Sequence, residues 1–193
     1  MKESILRKAA ESARVAGQLF ERDAERLEAC VREMARRFQA GGRLWAMGNG
    51  GSACDAQHVA VEFQHPILEK RRALPAQALT TDTAVLTAVG NDSDFALVFA
   101  EQLRLLGAAG DIALGISTSG QSPSVVRGLK AAREMGMLTA AFCGRDGGRL
   151  AEVAEHCFVV PSYSIHRIQE CHTILLHLLW DQLHVALGED DVL

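Results

Sequence analysis

A histidine and a glutamate stand four residues apart, at His58 and Glu62, within a stretch of unbroken helical pattern. This spacing places an imidazole and a carboxylate on the same face of a helix. Such a pair could transfer protons in a reaction or share a metal ion, or His58 could simply contact its carboxylate neighbour. The two residues therefore predict chemistry only if a binding site lies beside them.

A glycine-rich turn precedes this helical stretch and supplies such a site. Residues 48–52 read Gly-Asn-Gly-Gly-Ser and connect a strand predicted at 43–47 to a helix predicted at 52–65. Glycine allows a ligand to approach the main chain, and Ser52 is a favourable N-cap residue. The free N–H groups at such a helix start attract phosphate. Acid–base groups beside a phosphate site indicate a small phosphorylated substrate.

A second stretch, at residues 115–123, repeats the arrangement of a buried strand, small residues and a helix start. Residues 117–122, which we call the serine loop, contain four hydroxyl side chains: Ser117, Thr118, Ser119 and Ser122. The loop lacks the Gly-Lys-Ser/Thr ending of a Walker motif, and neither glycine stretch matches the dinucleotide pattern GxGxxG. Four hydroxyls after a strand favour a bound ligand over a simple helix cap. We expect the serine loop to hold the phosphate and residues 49–52 to hold the other end of the substrate.

Strands and helices alternate after residue 42, and the strands are apolar throughout. Strands are predicted at 43–47, 75–80, 111–117, 138–143 and 157–160. A turn is predicted at 90–94, a charged loop at 66–74, and a last helix at about 165–187. This pattern predicts an α/β fold with a parallel sheet of about five strands in a three-layer α/β/α arrangement. Ligands bind at the carboxyl ends of the strands in such folds.

The first forty residues predict either one long helix or a helix pair. Apolar or small residues recur at alternating steps of four and three: Leu6, Ala10, Ala13, Gly17, Phe20, Ala24, Leu27, Val31, Met34 and Phe38. Such a heptad seam favours an oligomer contact over simple coverage of the domain. We expect an N-terminal oligomerisation segment at 1–40 and one α/β domain at 41–193.

Composition narrows the class of protein. The formal net charge is −4, which gives no reason to expect direct nucleic-acid binding. Five cysteines without a CxxC pair indicate a reducing compartment. No signal peptide and no membrane span is evident, so a cytoplasmic protein without membrane binding is expected.

Three motifs in this order resemble the sugar isomerase (SIS) domain family. They are Gly48-Asn49-Gly50-Gly51-Ser52, Gly115-Ile116-Ser117-Thr118-Ser119-Gly120 and Arg167-Ile168-Gln169-Glu170. These motifs, combined with His58, Glu62 and His177, make the chain similar to the phosphoheptose isomerase branch over essentially its whole length. The resemblance implies a homotetramer that interconverts sedoheptulose 7-phosphate and D-glycero-D-manno-heptose 7-phosphate.

The same resemblance implies roles for individual residues. Glu62 and His177 would act as the acid–base pair of an enediol mechanism. Substrate contacts are implied at Asn49, Gly50, Gly51, Ser52, Glu62, Asn91, Asp92, Ser117, Thr118, Ser119, Ser122 and Gln169. Some members bind zinc at the positions of His58, Glu62, Gln169 and His177. Gln169 and His177 lie roughly 12 Å apart along a helix axis, so both reach one ion only if their side chains span that gap.

Two positions depart from the isomerase pattern, and one relative has a different function. Val61 replaces a second glutamate, and His166 replaces an aspartate that contacts the sugar in some members. A related protein of the same fold binds the replication initiator DnaA without catalysis, and residues 78–88 and 161–170 look somewhat like that branch. The presence of both Glu62 and His177 favours the isomerase, because a pure binding module does not need them.

Overall fold

The structure is a computed structural model that describes residues 1–67 and 71–191. Its strands are β1 (Leu44–Gly48), β2 (Ala76–Ala78), β3 (Ile112–Ser117), β4 (Leu138–Gly144) and β5 (His156–Val160). Its α-helices are α1 (Lys2–Gln39), α2 (Gly51–Gln64), α3 (Thr83–Asp92), α4 (Val98–Leu106), α5 (Pro123–Glu134), α6 (Leu150–Val153) and α7 (Ile165–Ala186). A 3₁₀ turn, Phe95–Leu97, leads into α4.

The five strands form one parallel sheet in the order β2-β1-β3-β4-β5. The chain passes from β1 to β2 on one side and then to β3 on the other side of β1, so the order of the strands reverses between β1 and β3. The gap outside the carboxyl ends of these two strands is the switch point where such folds bind ligands. The glycine-rich turn follows β1 and the serine loop follows β3, so both lie at this point. The predicted parallel sheet of about five strands is confirmed.

Alternating strand residues feed two separate apolar clusters. Leu44 and Ile112 belong to one cluster, which also includes buried side chains of α1, α2 and α7. Trp45 and Ala113 belong to the other, with side chains of α4, α5 and α6. Because neighbouring residues of a strand point to opposite faces, the sheet is covered by helices on both sides. The three-layer α/β/α arrangement is confirmed.

The N-terminal segment forms one helix and not a helix pair. The later part of the predicted seam, at Leu27, Val31, Met34 and Phe38, is buried within the chain. The earlier part, at Leu6, Ala10, Ala13, Gly17 and Ala24, is exposed. Helix α1 packs mainly against α7 and β5. The chain's own core therefore explains only the later half of the seam.

Three local predictions need correction. Residues 90–92 belong to the last turn of α3, because the helix continues through Asp92 before its cap at Ser93. The second strand is shorter than 75–80 and includes only Ala76–Ala78. Helix α2 begins at Gly51 with Gly50 as its N-cap, so Ser52 lies inside the first turn and is buried. Part of the predicted charged loop, residues 68–70, lies outside the described residues.

Candidate active site

Three side chains from two helices converge beside the switch point. The Nε2 atom of His58 lies 3.2 Å from Oε1 of Glu62 and 3.4 Å from Nε2 of His177. The two imidazole rings meet edge to face with centroids 5.0 Å apart. The Glu62 side chain is 20% exposed and that of His58 is 37% exposed. A carboxylate and two imidazoles that are reachable from solvent can exchange protons with a bound substrate.

Close packing of α2 on α7 explains why residues so distant in sequence meet here. His58 and Glu62 share one face of α2, whereas His177 lies on α7, two turns after Gln169. The Gln169 amide occupies the place that a Cβ atom on Gly51 would take. Glycine at the first position of α2 therefore lets the two helices approach closely enough for their functional side chains to touch.

The donor set fits a divalent metal ion. His58, Glu62 and His177 each offer one ligand atom, and these atoms all lie within 4.8 Å of one another. Nitrogen and oxygen ligands of zinc lie about 2.0–2.2 Å from the metal, so two of them at the tetrahedral angle are about 3.4 Å apart. The observed separations of 3.2 and 3.4 Å match this value. Imidazole and carboxylate groups are ordinary zinc ligands in proteins.

A hydrogen-bonded link joins the glycine-rich turn to the helix that follows the serine loop. The Asn49 side-chain amide donates to Ser122 Oγ at 2.8 Å and to Ser124 Oγ at 2.9 Å. Ser122 is the N-cap residue of α5, and Pro123 follows at the first position of the helix, as predicted. Because the Ser122 hydroxyl meets Asn49, its side chain does not cap the helix. The structure thus brings the two predicted binding stretches together.

The serine loop makes a tight turn beside the loop after β4. Gly120 has a φ of +65°, and a Cβ atom there would collide with the Gly147 backbone. Ser117 is buried, while Thr118 and Ser119 are half-buried. The Ser119 hydroxyl accepts a hydrogen bond of 3.2 Å from the Gln121 N–H. Partly exposed hydroxyls and the amides of a helix start form a surface suited to an oxyanion.

Asn91 and Asp92 lie at the C-terminal end of α3 and are exposed. The Asn91 amide donates to the Asp92 carboxylate at 2.6 Å. Their predicted contact with the sugar stays a prediction, as does the role of Gln169 as a metal ligand. Val61 and His166, the two departures from the isomerase pattern, are both exposed.

Sequence reasoning missed two polar pairs near the site. One is the contact of Ser124 with Asn49, which no motif signals. The other joins Asp55 on α2 to His172 on α7, with Oδ2 and Nδ1 4.0 Å apart. Burial raises the pKa of Asp55 to about 6 and lowers the pKa of His172 to about 4. A polar residue inside an apolar helix stretch was the available signal for His172, but it did not reveal the partner.

The fold and the loops at the switch point define a class of protein. Residues 9–144 match the family model of the SIS domain. This match spans more than half of the chain, so the chain belongs to the SIS domain family.

Curated relatives and solved structures narrow the likeness. A phosphoheptose isomerase from Aquifex aeolicus (strain VF5) is 46% identical over 93% of this chain and 94% of its own length. One from Paramagnetospirillum magneticum (strain ATCC 700264 / AMB-1) is 46% identical over 92% and 91%. The solved phosphoheptose isomerase of Neisseria gonorrhoeae has a TM-score of 0.88 and 40% identity, with 94% of this chain and 97% of that chain covered. That of Francisella tularensis has a TM-score of 0.90 and 31% identity, with 95% and 97% covered.

Within residues 1–67 and 71–191, no helix combines the length and apolar character needed to cross a bilayer.

Proposed function

We propose that this chain is a phosphoheptose isomerase that interconverts sedoheptulose 7-phosphate and D-glycero-D-manno-heptose 7-phosphate. The observation that carries the proposal is the convergence of Glu62, His58 and His177 beside the switch point. Family membership and the names of relatives at 41–48% identity support the same reaction. An aldose–ketose isomerase needs both a base for a carbon-bound proton and a group that moves protons between oxygens.

Glu62 is the proposed base. Its carboxylate removes a proton from C1 of the ketose, which gives an enediol, and returns that proton to C2 to form the aldose. His58 is 3.2 Å from the carboxylate and orients it toward the substrate. The Glu62 carboxylate is only 20% exposed, so little water can reach it and exchange with the proton that it carries.

His177 is the proposed partner acid and base. As the enediol forms, the imidazole donates a proton to the C2 oxygen, and as the aldehyde forms it accepts the proton of the C1 hydroxyl. Imidazole suits both steps because its ordinary pKa lies near neutral pH. The position of His177 on a different helix from Glu62 lets the two residues approach neighbouring carbon and oxygen atoms of one substrate.

The substrate-binding residues divide into two groups. Ser117, Thr118, Ser119 and Ser122 hold the phosphate together with the N–H groups at the start of α5. Asn49, Gly50, Gly51, Ser52 and Gln169 hold the reacting end of the sugar, with Asn91 and Asp92 as further contacts. The Asn49 bonds to Ser122 and Ser124 fix the spacing between the two groups.

Zinc is the proposed cofactor, held by His58, Glu62 and His177 with Gln169 as a fourth ligand. When bound, the ion would act as a Lewis acid that polarises the substrate carbonyl and hydroxyl oxygens. Glu62 and His177 would not be tight ligands of the ion while they transfer protons, because a ligand atom bound to the metal cannot also carry a proton.

The proposed assembly is a cytoplasmic homotetramer that binds neither nucleic acid nor membrane. Residues 1–40 would serve oligomerisation, and residues 41–193 would form the SIS domain. The exposed early part of the α1 seam supports this assignment, since Leu6 and Ala13 are exposed in the part of the chain that the structure describes.

A turnover assay tests the proposed reaction. Purified protein with sedoheptulose 7-phosphate should give an aldose product. Glu62→Gln should lower kcat by about 10³-fold or more, because the amide keeps the shape but cannot accept the proton. The assay is run with and without a chelator and added zinc. Absence of product from the wild-type protein under all of these conditions would refute the isomerase.

The same variant separates the isomerase from the initiator-binding alternative. DnaA is captured on immobilised wild-type protein and on the Glu62→Gln variant. DnaA binding by both proteins, with no turnover by either, would favour the binding module. Turnover by the wild type alone supports the enzyme.

A further inference from the structure

A buried polar contact joins the two helices that carry the candidate catalytic groups. Asp55 lies on α2, three residues before His58, and His172 lies on α7, between Gln169 and His177. The His172 side chain is fully buried, and that of Asp55 is 14% exposed. The contact therefore lies at the base of the candidate site, where it can fix one helix against the other.

The protonation of His172 follows from its hydrogen-bond partner. Its Nε2 atom lies 3.3 Å from the carbonyl oxygen of Cys143 at the end of β4. A carbonyl oxygen can only accept a hydrogen bond, so Nε2 carries the hydrogen. In a neutral imidazole, Nδ1 is then an acceptor, and this atom faces Asp55.

Two acceptors that face each other need a proton between them. Within the described residues, Asp55 Oδ2 and His172 Nδ1 are both buried and have no hydrogen-bond partner. Their separation of 4.0 Å exceeds a hydrogen bond by about 1 Å, and the broad terminal torsion of an aspartate lets the carboxyl group close that gap. One shared proton would satisfy both atoms, whereas two separate buried acceptors are unfavourable.

We propose that Asp55 and His172 are positioning residues, in which a protonated Asp55 carboxyl group donates its hydrogen to His172 Nδ1 and thereby holds α2 against α7. Burial raises the pKa of the Asp55 carboxyl to about 6, and the hydrogen bond that its protonated form donates to Nδ1 would raise that pKa further, so the neutral form is favoured at this site. The chain of bonds then runs from the Cys143 carbonyl through His172 to Asp55. It keeps His58 and Glu62 at a fixed distance from His177. This role rests on the proposed isomerase function.

Paired variants at position 55 test the role in turnover. Asp55→Asn keeps an N–H donor for Nδ1, whereas Asp55→Leu has a similar branched shape, though a larger volume, and loses the donor. We expect Asp55→Asn to retain kcat within about threefold and Asp55→Leu to lose about 10- to 100-fold, with KM little changed in both. Glu152→Gln, an acid-to-amide change at an exposed position of α6, is the matched control and should leave kcat unchanged. Equal loss in both Asp55 variants, or loss in neither, would overturn the proposal.

A spectroscopic measurement tests the shared proton without relying on activity. Nitrogen-15 NMR of the labelled wild-type protein should show His172 protonated at Nε2 and unprotonated at Nδ1. The Nδ1 signal should move in Asp55→Leu more than in Asp55→Asn, because only leucine removes the donor. A ring protonated at Nδ1, or at both nitrogens, would overturn the proposal. If the wild-type protein lacks turnover, the proposed function fails while this measurement still decides the state of the pair.

Discussion

At the scale of single residues, the site depends on glycine at position 51, where a side chain would collide with Gln169. Gly51 has no Cβ, and the Gln169 amide fills that space. Gln169 thus reaches the start of α2 and the sugar end of the proposed site. The same contact sets how closely α7 can approach the glycine-rich turn.

We predict that Gly51→Ala displaces Gln169 and lowers kcat/KM by about 10- to 100-fold, since small misplacements at a reacting centre have effects of this size. Stability should change by less than about 1 kcal/mol, because alanine favours a helix and the displaced group is the flexible end of a side chain. Steady-state kinetics and thermal unfolding measure the two effects separately.

A double-mutant cycle assigns the loss to Gln169. Gln169→Ala should lower kcat/KM by a similar factor, and the Gly51→Ala/Gln169→Ala double variant should be little worse than either single variant. Fully additive losses would contradict the contact as the cause.

The contacts among the site residues differ in how far the sequence could predict them. His58 and Glu62 are four apart on one helix, so their contact follows from local geometry alone. His177 meets them across 119 residues of sequence, and only the resemblance to a family placed it there. Asp55 and His172 meet through the packing of α2 on α7, which helical periodicity does not describe.

At the scale of elements, one aspartate joins the beginnings of two central strands. Asp111 Oδ1 accepts from the Arg43 N–H at 2.9 Å. Its Oδ2 accepts from Trp45 Nε1 at 2.8 Å and from the Ala108 N–H at 2.9 Å. These bonds fix β1 against β3 at the amino-terminal ends of the strands, whereas the candidate site lies at their carboxyl ends. Asp111 is therefore a stability residue and not a binding residue.

We predict that Asp111→Ala lowers the free energy of unfolding by about 3 kcal/mol, because it leaves three N–H donors without their partner. Denaturant unfolding measures this loss, and the KM of the folded fraction should stay near that of the wild type. Glu101→Ala is the control, since it breaks an exposed ion pair with Arg104 that contributes less than about 1 kcal/mol. Equal destabilisation by both variants would contradict the assignment.

Element boundaries were predictable where one local signal dominates. The apolar runs of β3 and β4 gave their positions, and Ser122-Pro123 gave the start of α5. The end of α3 was predicted wrongly, because a run of Gly, Asn, Asp and Ser reads as a turn. The helix instead continues to Asp92, where the 3₁₀ turn at Phe95–Leu97 packs against it. That tertiary contact is not encoded in the local composition.

At the scale of the whole molecule, α1 presents an uncovered face. A groove of about 940 Å³ lies between α1 and α7, and its lining does not include His58, Glu62 or His177. Phe20, Ala24, Leu178 and Val185 line part of it. Nearer the N-terminus of α1, Leu6 is 59% exposed. The periodicity of the sequence predicts a contact along α1, and within the described residues most of the early half of that seam is exposed.

Light scattering of the wild-type protein should give the mass of a homotetramer. Ala24→Glu, which places a carboxylate in the groove, should shift the mass toward smaller species, because burying an unpaired charge at an interface is strongly unfavourable. Lys130→Glu, an exposed charge reversal on α5, is the control and should leave the mass unchanged. A monomeric wild type would rule out the assembly. A tetramer that tolerates Ala24→Glu would place the contact on another face, and the early α1 seam would then need a different explanation.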